Sequence, residues 1–241
     1  MTLLSYNSGK SSRTSWREFF PKFRKRWKAG EHVFIFGETG SGKTDLGLRL
    51  LNTEPYAVAL ITKPRDPIFT NPLTKGYIKT NTWPPRSVEP GKTHFLLSAK
   101  TKRNAVMADE RILQRELFPK ALDATYQQGG WSVLFDETMY MANTLGMKQQ
   151  VSDMFYLGRS NDLTSISCTQ RPRTIPPIIP QSCNYAFLAR CRRDDDIKVL
   201  SELGYNRLEL KKALQEIRNK HDFLYVDPQG DMPVTVINTH F

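Results

Sequence analysis

Residues 32–51, HVFIFGETGSGKTDLGLRLL, decide how the rest of the chain is read. An apolar run ends in a glycine-rich turn, which opens into the apolar spacing of a helix. The eight middle residues, 37–44, satisfy G-x-x-x-x-G-K-[ST] at every fixed position. Gly37, Gly40 and Gly42 let the backbone curl, and with Glu38, Thr39 and Ser41 they turn N–H groups inward around an anion. The following helix adds the partial positive charge of its N-terminus. Lys43 supplies a point charge for the β- and γ-phosphates, and the Thr44 hydroxyl supplies a ligand for Mg²⁺. The cofactor set implied is ATP with Mg²⁺. An ordinary glycine-rich turn is the alternative, and the strand before and helix after argue against it.

The second half of such a site is a carboxylate at the end of a buried strand. WSVLFDET, residues 131–138, provides one. Asp136 falls at the carboxyl edge, where open parallel sheets bind ligands, and is placed to hold Mg²⁺. Glu137 is placed to orient or deprotonate an attacking water. Two consecutive acids also suit a solvated turn or a helix cap. A glutamate beside the metal carboxylate resembles the motor-type ATPases, the ASCE/RecA-like branch of the P-loop NTPases. That resemblance implies an extra strand between the cradle strand and the carboxylate strand.

Outward from these motifs, apolar runs at 32–36, 56–62, 131–135, 163–168 and 185–191 read as five core strands, with a further strand over 94–98. Helices are expected at 103–127, with Pro119 as a kink or restart, at 147–157, and near 194–203 and 207–218. The proline-rich stretch 64–92 reads as mostly loop. Residues 223–226 and 234–238, joined by DPQG, read as a C-terminal β-hairpin. The fold class is therefore α/β, a mainly parallel sheet with helices on both faces. Counting the five core strands in chain order, the motor-ATPase resemblance implies the order 5-1-4-3-2.

Residues 30–241 form one ATPase domain on this reading, and residues 1–29 a basic-aromatic N-terminal arm. Within it, RTSWREFFPKFRKRWK (13–28) interleaves seven basic residues with five aromatic ones. That pattern suits contact with a phosphate backbone, and equally an amphipathic helix whose aromatics cap the core. The whole chain carries 35 Lys and Arg against 24 Asp and Glu, a net charge of +11, which favours a polyanionic partner. Its three cysteines lack zinc or disulfide spacing, and no apolar run reaches the length of a membrane span. A soluble, cytoplasmic protein is expected.

The fourth core strand ends in SISCTQRP. Gln170, just beyond it, can donate to a γ-phosphate and accept from water at once; the alternative is an exposed loop glutamine. GETGSGKT, then VLFDE, then LGRSNDLTSISCTQRP together resemble the FtsK–HerA superfamily, most closely its compact viral and phage DNA-packaging ATPases. The resemblance spans about residues 30–192. It implies a homo-oligomeric ring, hexamer or pentamer, acting on double-stranded DNA, with a capsid vertex or portal as a further partner. It also implies an arginine reaching the neighbouring subunit's ATP. By spacing from the acids this falls on Arg159, with Arg171, Arg173 and Arg115 as competitors. Lys63, Arg65, Lys100, Lys102, Arg103, Arg171 and Arg173 are candidates for lining a DNA channel. Alternative functions are an assembly or export ATPase acting on a protein, and a nucleotide-dependent switch that is not a motor.

Overall fold

Runs such as VFIF, AVALI, SVLF and YAFL leave no polar face for water, so each needs cover on both sides. One sheet between two helical layers provides it. The computed structural model describes residues 12–63, 65–84, 91–99, 107–203, 206–227 and 234–239. In chain order the elements are β1 (Ser12–Ser15), α1 (Trp16–Arg26), β2 (Val33–Phe36), α2 (Lys43–Leu51), β3 (Ala57–Ile61), β4 (Ile78–Thr80) and β5 (His94–Ser98). Then come α3 (Met107–Gln128), β6 (Ser132–Phe135), α4 (Lys148–Tyr156), β7 (Thr164–Thr169), α5 (Ile178–Ser182) and β8 (Tyr185–Leu188). The chain ends with α6 (Asp194–Ser201), α7 (Arg207–Gln215), β9 (Asp222–Val226) and β10 (Thr235–Asn238).

All ten strands join one sheet, in the order β1-β10-β9-β8-β2-β7-β6-β3-β5-β4. The inner five, β8-β2-β7-β6-β3, are parallel and stand in the expected order 5-1-4-3-2. The sheet is longer than that expectation. Parallel β5 and β4 extend one edge, and β9, β10 and β1 extend the other. β9 runs antiparallel to both β8 and β10, which makes the C-terminal hairpin part of the main sheet.

Alternate residues of one strand serve opposite layers, as a period of two requires. Phe34 and Phe36 face the core under α3, α4, α5, α6 and α7. Val33 and Ile35 face the core under α1 and α2. At the base of the sheet His32 Nδ1 accepts from the Ser165 N–H at 3.0 Å, tying β2 to β7. Burial, reinforced by the charge of Arg159, pushes the His32 pKa down to about 4 and keeps it a neutral acceptor.

Helix α1 begins at Ser15, whose hydroxyl accepts from the Glu18 N–H at 3.3 Å. Its spacing puts Trp16, Phe19 and Phe23, with Trp27 just beyond, on one stripe, and all four are buried. Phe23 meets Tyr185, Phe187 and Tyr225 edge-on, with ring centroids 5.1, 5.6 and 5.8 Å away. The aromatic half of the segment 13–28 is therefore core. Its opposite face leaves Arg17, Lys22, Lys25 and Lys28 exposed.

Two local details go beyond the sequence reading. Helix α3 runs unbroken through Pro119, because Phe118, Ala121 and Leu122 lock both sides of that turn into the core, while Leu113 faces outward. The loop-rich stretch 64–92 carries short elements among its described residues. Pro67–Thr70 and Pro72–Thr74 form 3₁₀ turns, and β4 follows. The Asp66 carboxylate caps the Ile68 N–H at 3.0 Å, and the Asn71 side-chain oxygen caps the Leu73 N–H at 2.9 Å. Asn71 also donates to Asp45 of α2 at 2.6 Å, which pins the segment beside the helix that follows residues 37–42.

Truncating Phe23 to Ala should cost about 3–5 kcal/mol of unfolding free energy, as for a large aromatic removed from a packed core. Urea unfolding checks this, and a loss under about 1 kcal/mol would contradict the packing described for α1.

Candidate nucleotide-binding site

Parallel strands deliver their carboxyl ends to one edge of the sheet, and every motif residue but one is collected there. β2 runs into Gly37, whose N–H donates to the Thr169 carbonyl at 3.2 Å and so fastens the cradle to β7. Gly40 and Gly42 hold φ of 76° and 90°, the left-handed region open to glycine at little cost. A Cβ at Gly37 would stand 2.4 Å from Ser41 Oγ, too close for any side chain. These three positions let residues 37–44 wrap into a ring that passes directly into α2.

Thr44 is the second residue of α2, and its hydroxyl donates to Asp136 Oδ1 at 2.7 Å. Glu137 follows, with Oε2 accepting from Gln170 Nε2 at 3.0 Å. Gln170 Oε1 in turn accepts from the Thr39 hydroxyl at 3.0 Å, so one side chain bridges the cradle and the second acid. Lys43 Nζ rests on the Glu38 carbonyl at 3.1 Å. Cradle, acid pair and glutamine thus form one connected polar cluster. The other Glu137 oxygen, Oε1, is buried and has no partner among the described residues. An unpaired buried carboxylate oxygen is costly and marks a place for a ligand or water.

Burial shifts the ionisation of the cluster's charged groups. Burial raises the pKa of Asp136, with the Thr44 hydrogen bond working against the rise. Burial also raises that of Glu137, opposed by the positive charge of Lys43 and reinforced by the neighbouring Asp136. Lys43 is lowered by its own burial, and the two acids pull it back up. A glutamate raised toward neutrality is a better-matched general base than an exposed one.

Arg159 is the exception. It lies at the opposite edge of the sheet, exposed, with its carbonyl 3.1 Å from where a Cβ of Gly30 would stand. Among the described residues nothing brings it to the cradle. The competing arginines are engaged differently. Arg115 caps the turn after β6, donating to the carbonyls of Leu145 at 2.8 Å and Thr144 at 2.9 Å. Arg173 pairs with Asp195 on the surface at 3.0 Å. Arg171 lines a cleft of ≈ 350 Å³ beside the cradle, together with Glu38, Thr39, Gln170 and Arg193.

Two further charged residues stand near the cluster. Lys63, a channel candidate, follows β3 closely enough that its charge acts on Lys43, Asp136 and Glu137. Lys220 stands at the cradle's rim, its Nζ 2.8 Å from where a Cβ of Gly40 would be. No motif announced it, because its position depends on the direction of β9. Lys100, Lys102 and Arg103 lie outside the described residues.

No family model and no curated protein sequence matches this chain. Solved structures do. The genome packaging NTPase of Sulfolobus turreted icosahedral virus 2, in complex with AMPPCP, aligns with a TM-score of 0.59 at 14% identity, covering 86% of this chain and 97% of that one. The DNA-packaging ATPase of Sulfolobus turreted icosahedral virus gives 0.56 at 17%, covering 87% and 98%. The pCW3 conjugation coupling protein TcpA gives 0.51 at 15%, covering 87% and 60%. At these identities the likeness is one of fold, and this chain has the P-loop NTPase fold they share.

Because the folded pKa of Glu137 lies above its unfolded value, the native state binds more protons between the two, and stability falls as pH rises through that window. Glu137→Gln should therefore raise the Tm of the nucleotide-free protein at pH 7 by roughly 2–4 °C. The gain should shrink as pH falls toward the ordinary carboxylate range. Scanning calorimetry against pH checks it, and a lower Tm at pH 7 would contradict this account of the burial.

Proposed function

We propose that this chain hydrolyses ATP with Mg²⁺ and uses the cycle to translocate double-stranded DNA, as a genome-packaging type of FtsK–HerA ATPase. The hydrogen bond between Thr44 and Asp136 carries the reading, because it joins the two halves of a metal–triphosphate site from residues 92 positions apart in the chain. Both groups are hard oxygen donors, as Mg²⁺ prefers, and a hydroxyl with one carboxylate leaves room for phosphate oxygens and water. The residues present therefore fit the ion. When bound, Mg²⁺ would neutralise charge on the phosphates.

The remaining roles belong to the chain's own groups. Backbone N–H groups of residues 37–44 bind the polyphosphate, and Lys43 shifts from the Glu38 carbonyl onto the β- and γ-oxygens. Water adds to the γ-phosphorus as the bond to the ADP oxygen breaks. Glu137 takes the water proton on Oε1, the oxygen left unpartnered. Gln170, held between Thr39 and Glu137, registers the γ-phosphate and orients that water. ADP and inorganic phosphate leave.

Arg159 acts in trans on this reading, offered by a neighbouring copy in a hexameric or pentameric ring, and its distance from its own cradle agrees with that. The charge of +11 and the exposed Arg17, Lys22 and Lys25 of α1, with Lys28 just beyond it, support phosphate-backbone contact that is nearly blind to sequence. Among the described residues no helix is long and apolar enough to cross a membrane. A ring working in the cytoplasm against a capsid vertex or portal completes the proposal.

Long duplex DNA should stimulate ATP hydrolysis, and the stimulation should fall steeply between about 50 and 200 mM salt. Lys43→Ala and Glu137→Gln should each lower the rate by at least about 100-fold. Undiminished hydrolysis by Glu137→Gln would remove the catalytic assignment. Stimulation by a protein partner and not by DNA would favour an assembly or export ATPase.

A further inference from the structure

The inner strands of this sheet all end at the cradle, so only an inverted strand can begin there. β9 is that strand. Leu224 pairs with Leu188, and Leu188 pairs with Phe36, the last residue of β2 before the cradle. Residues just ahead of β9 therefore stand level with the cradle itself. They are Lys220 and His221. A Cβ at Gly40 would meet Lys220 Nζ at 2.8 Å and Cε at 3.1 Å, and one at Gly42 would meet His221 Nδ1 at 3.2 Å.

The turn that presents them is fixed from below. The Asp222 carboxylate, wholly buried, accepts from Asn219 Nδ2 at 3.1 Å and from Arg13 Nη1 at 3.4 Å. The Asp222 N–H closes the turn on the Asn219 carbonyl at 3.3 Å. The Thr239 hydroxyl and N–H both donate to the His221 carbonyl. Strands β1 and β10 thus brace a loop whose outermost side chain is a lysine lying on the phosphate cradle. No carboxylate among the described residues forms an ion pair with Lys220.

We propose that Lys220 is a second phosphate-contacting cation of the nucleotide site, delivered in cis by the turn before β9, and that the C-terminal hairpin is thereby part of that site. The inference rests on the reading of residues 37–44 as a triphosphate cradle. A flexible ammonium at the rim of an anion-binding loop needs only side-chain rotation to reach a phosphate oxygen. Gly40 then has two reasons to be glycine: its left-handed backbone, and the lysine that lies against it.

The test is equilibrium titration of the full-length protein with a fluorescent ATP analogue and Mg²⁺ at low and high salt. It compares the wild type with Lys220→Ala, Lys220→Arg and Lys43→Ala, together with the Tm of each without nucleotide. Lys220→Ala should weaken binding roughly tenfold, flatten its salt dependence and leave the Tm unchanged, and Lys220→Arg should restore most of the affinity. Wild-type binding with undiminished affinity in Lys220→Ala would overturn this inference alone. So would equal weakening in Lys220→Ala and Lys220→Arg accompanied by a fall in Tm, the mark of a merely structural side chain. No binding by the wild type would overturn the cradle reading, and this inference with it.

Discussion

A hydroxyl and a carboxylate 92 positions apart share one hydrogen bond here because the strands before them are parallel and separated by a single neighbour. Thr44 and Asp136 meet at 2.7 Å because β7 lies between β2 and β6 and all three point the same way. The rest of the architecture serves that placement. Buried runs on both sheet faces call for two helical layers, and parallel strands call for crossovers long enough to supply them. The same direction rule brings Gln170 from β7 to the gap between cradle and acids. A reversal of any one inner strand would carry its functional residue to the opposite edge.

Placing two carboxylates and a lysine in a buried cluster works against folding. Asp136 and Glu137 are both held above their ordinary ionisation range by burial, and Lys43 below its own. The cluster answers with hydrogen bonds from Thr44 and Gln170, and it still leaves Glu137 Oε1 unmet. A ligand that supplied the missing partners would stabilise such a site, so its binding and domain stability would be thermodynamically linked. The strain sits where chemistry would use it.

Much of the site is local in the chain and was therefore legible in it. Residues 37–44 carry their own backbone geometry in three glycines, and Asp136 and Glu137 are announced by the four buried residues before them. The inner strand order followed from resemblance to motor ATPases and agrees with the register observed. What escaped is tertiary. Whether the aromatics of 13–28 face a partner or a core depends on Tyr185, Phe187 and Tyr225, far along the chain. The inversion of β9, which puts Lys220 on the cradle, follows from how α6 and α7 return the chain, and alternation cannot tell a parallel from an antiparallel strand. Pro119 misled for a related reason, since packing on both sides of it outweighs its local cost.

The account depends most on Thr44 and Asp136 holding one metal–nucleotide complex together. A double-mutant cycle measures this directly: calorimetric affinity for ATP with Mg²⁺ in the wild type, Thr44→Ala, Asp136→Ala and the double variant. Residues that share one ligand should be strongly coupled, so that the second substitution costs little once the first is made, with an interaction energy of about 1 kcal/mol or more. Losses that simply add would show that the two side chains act independently, and would contradict the site described here.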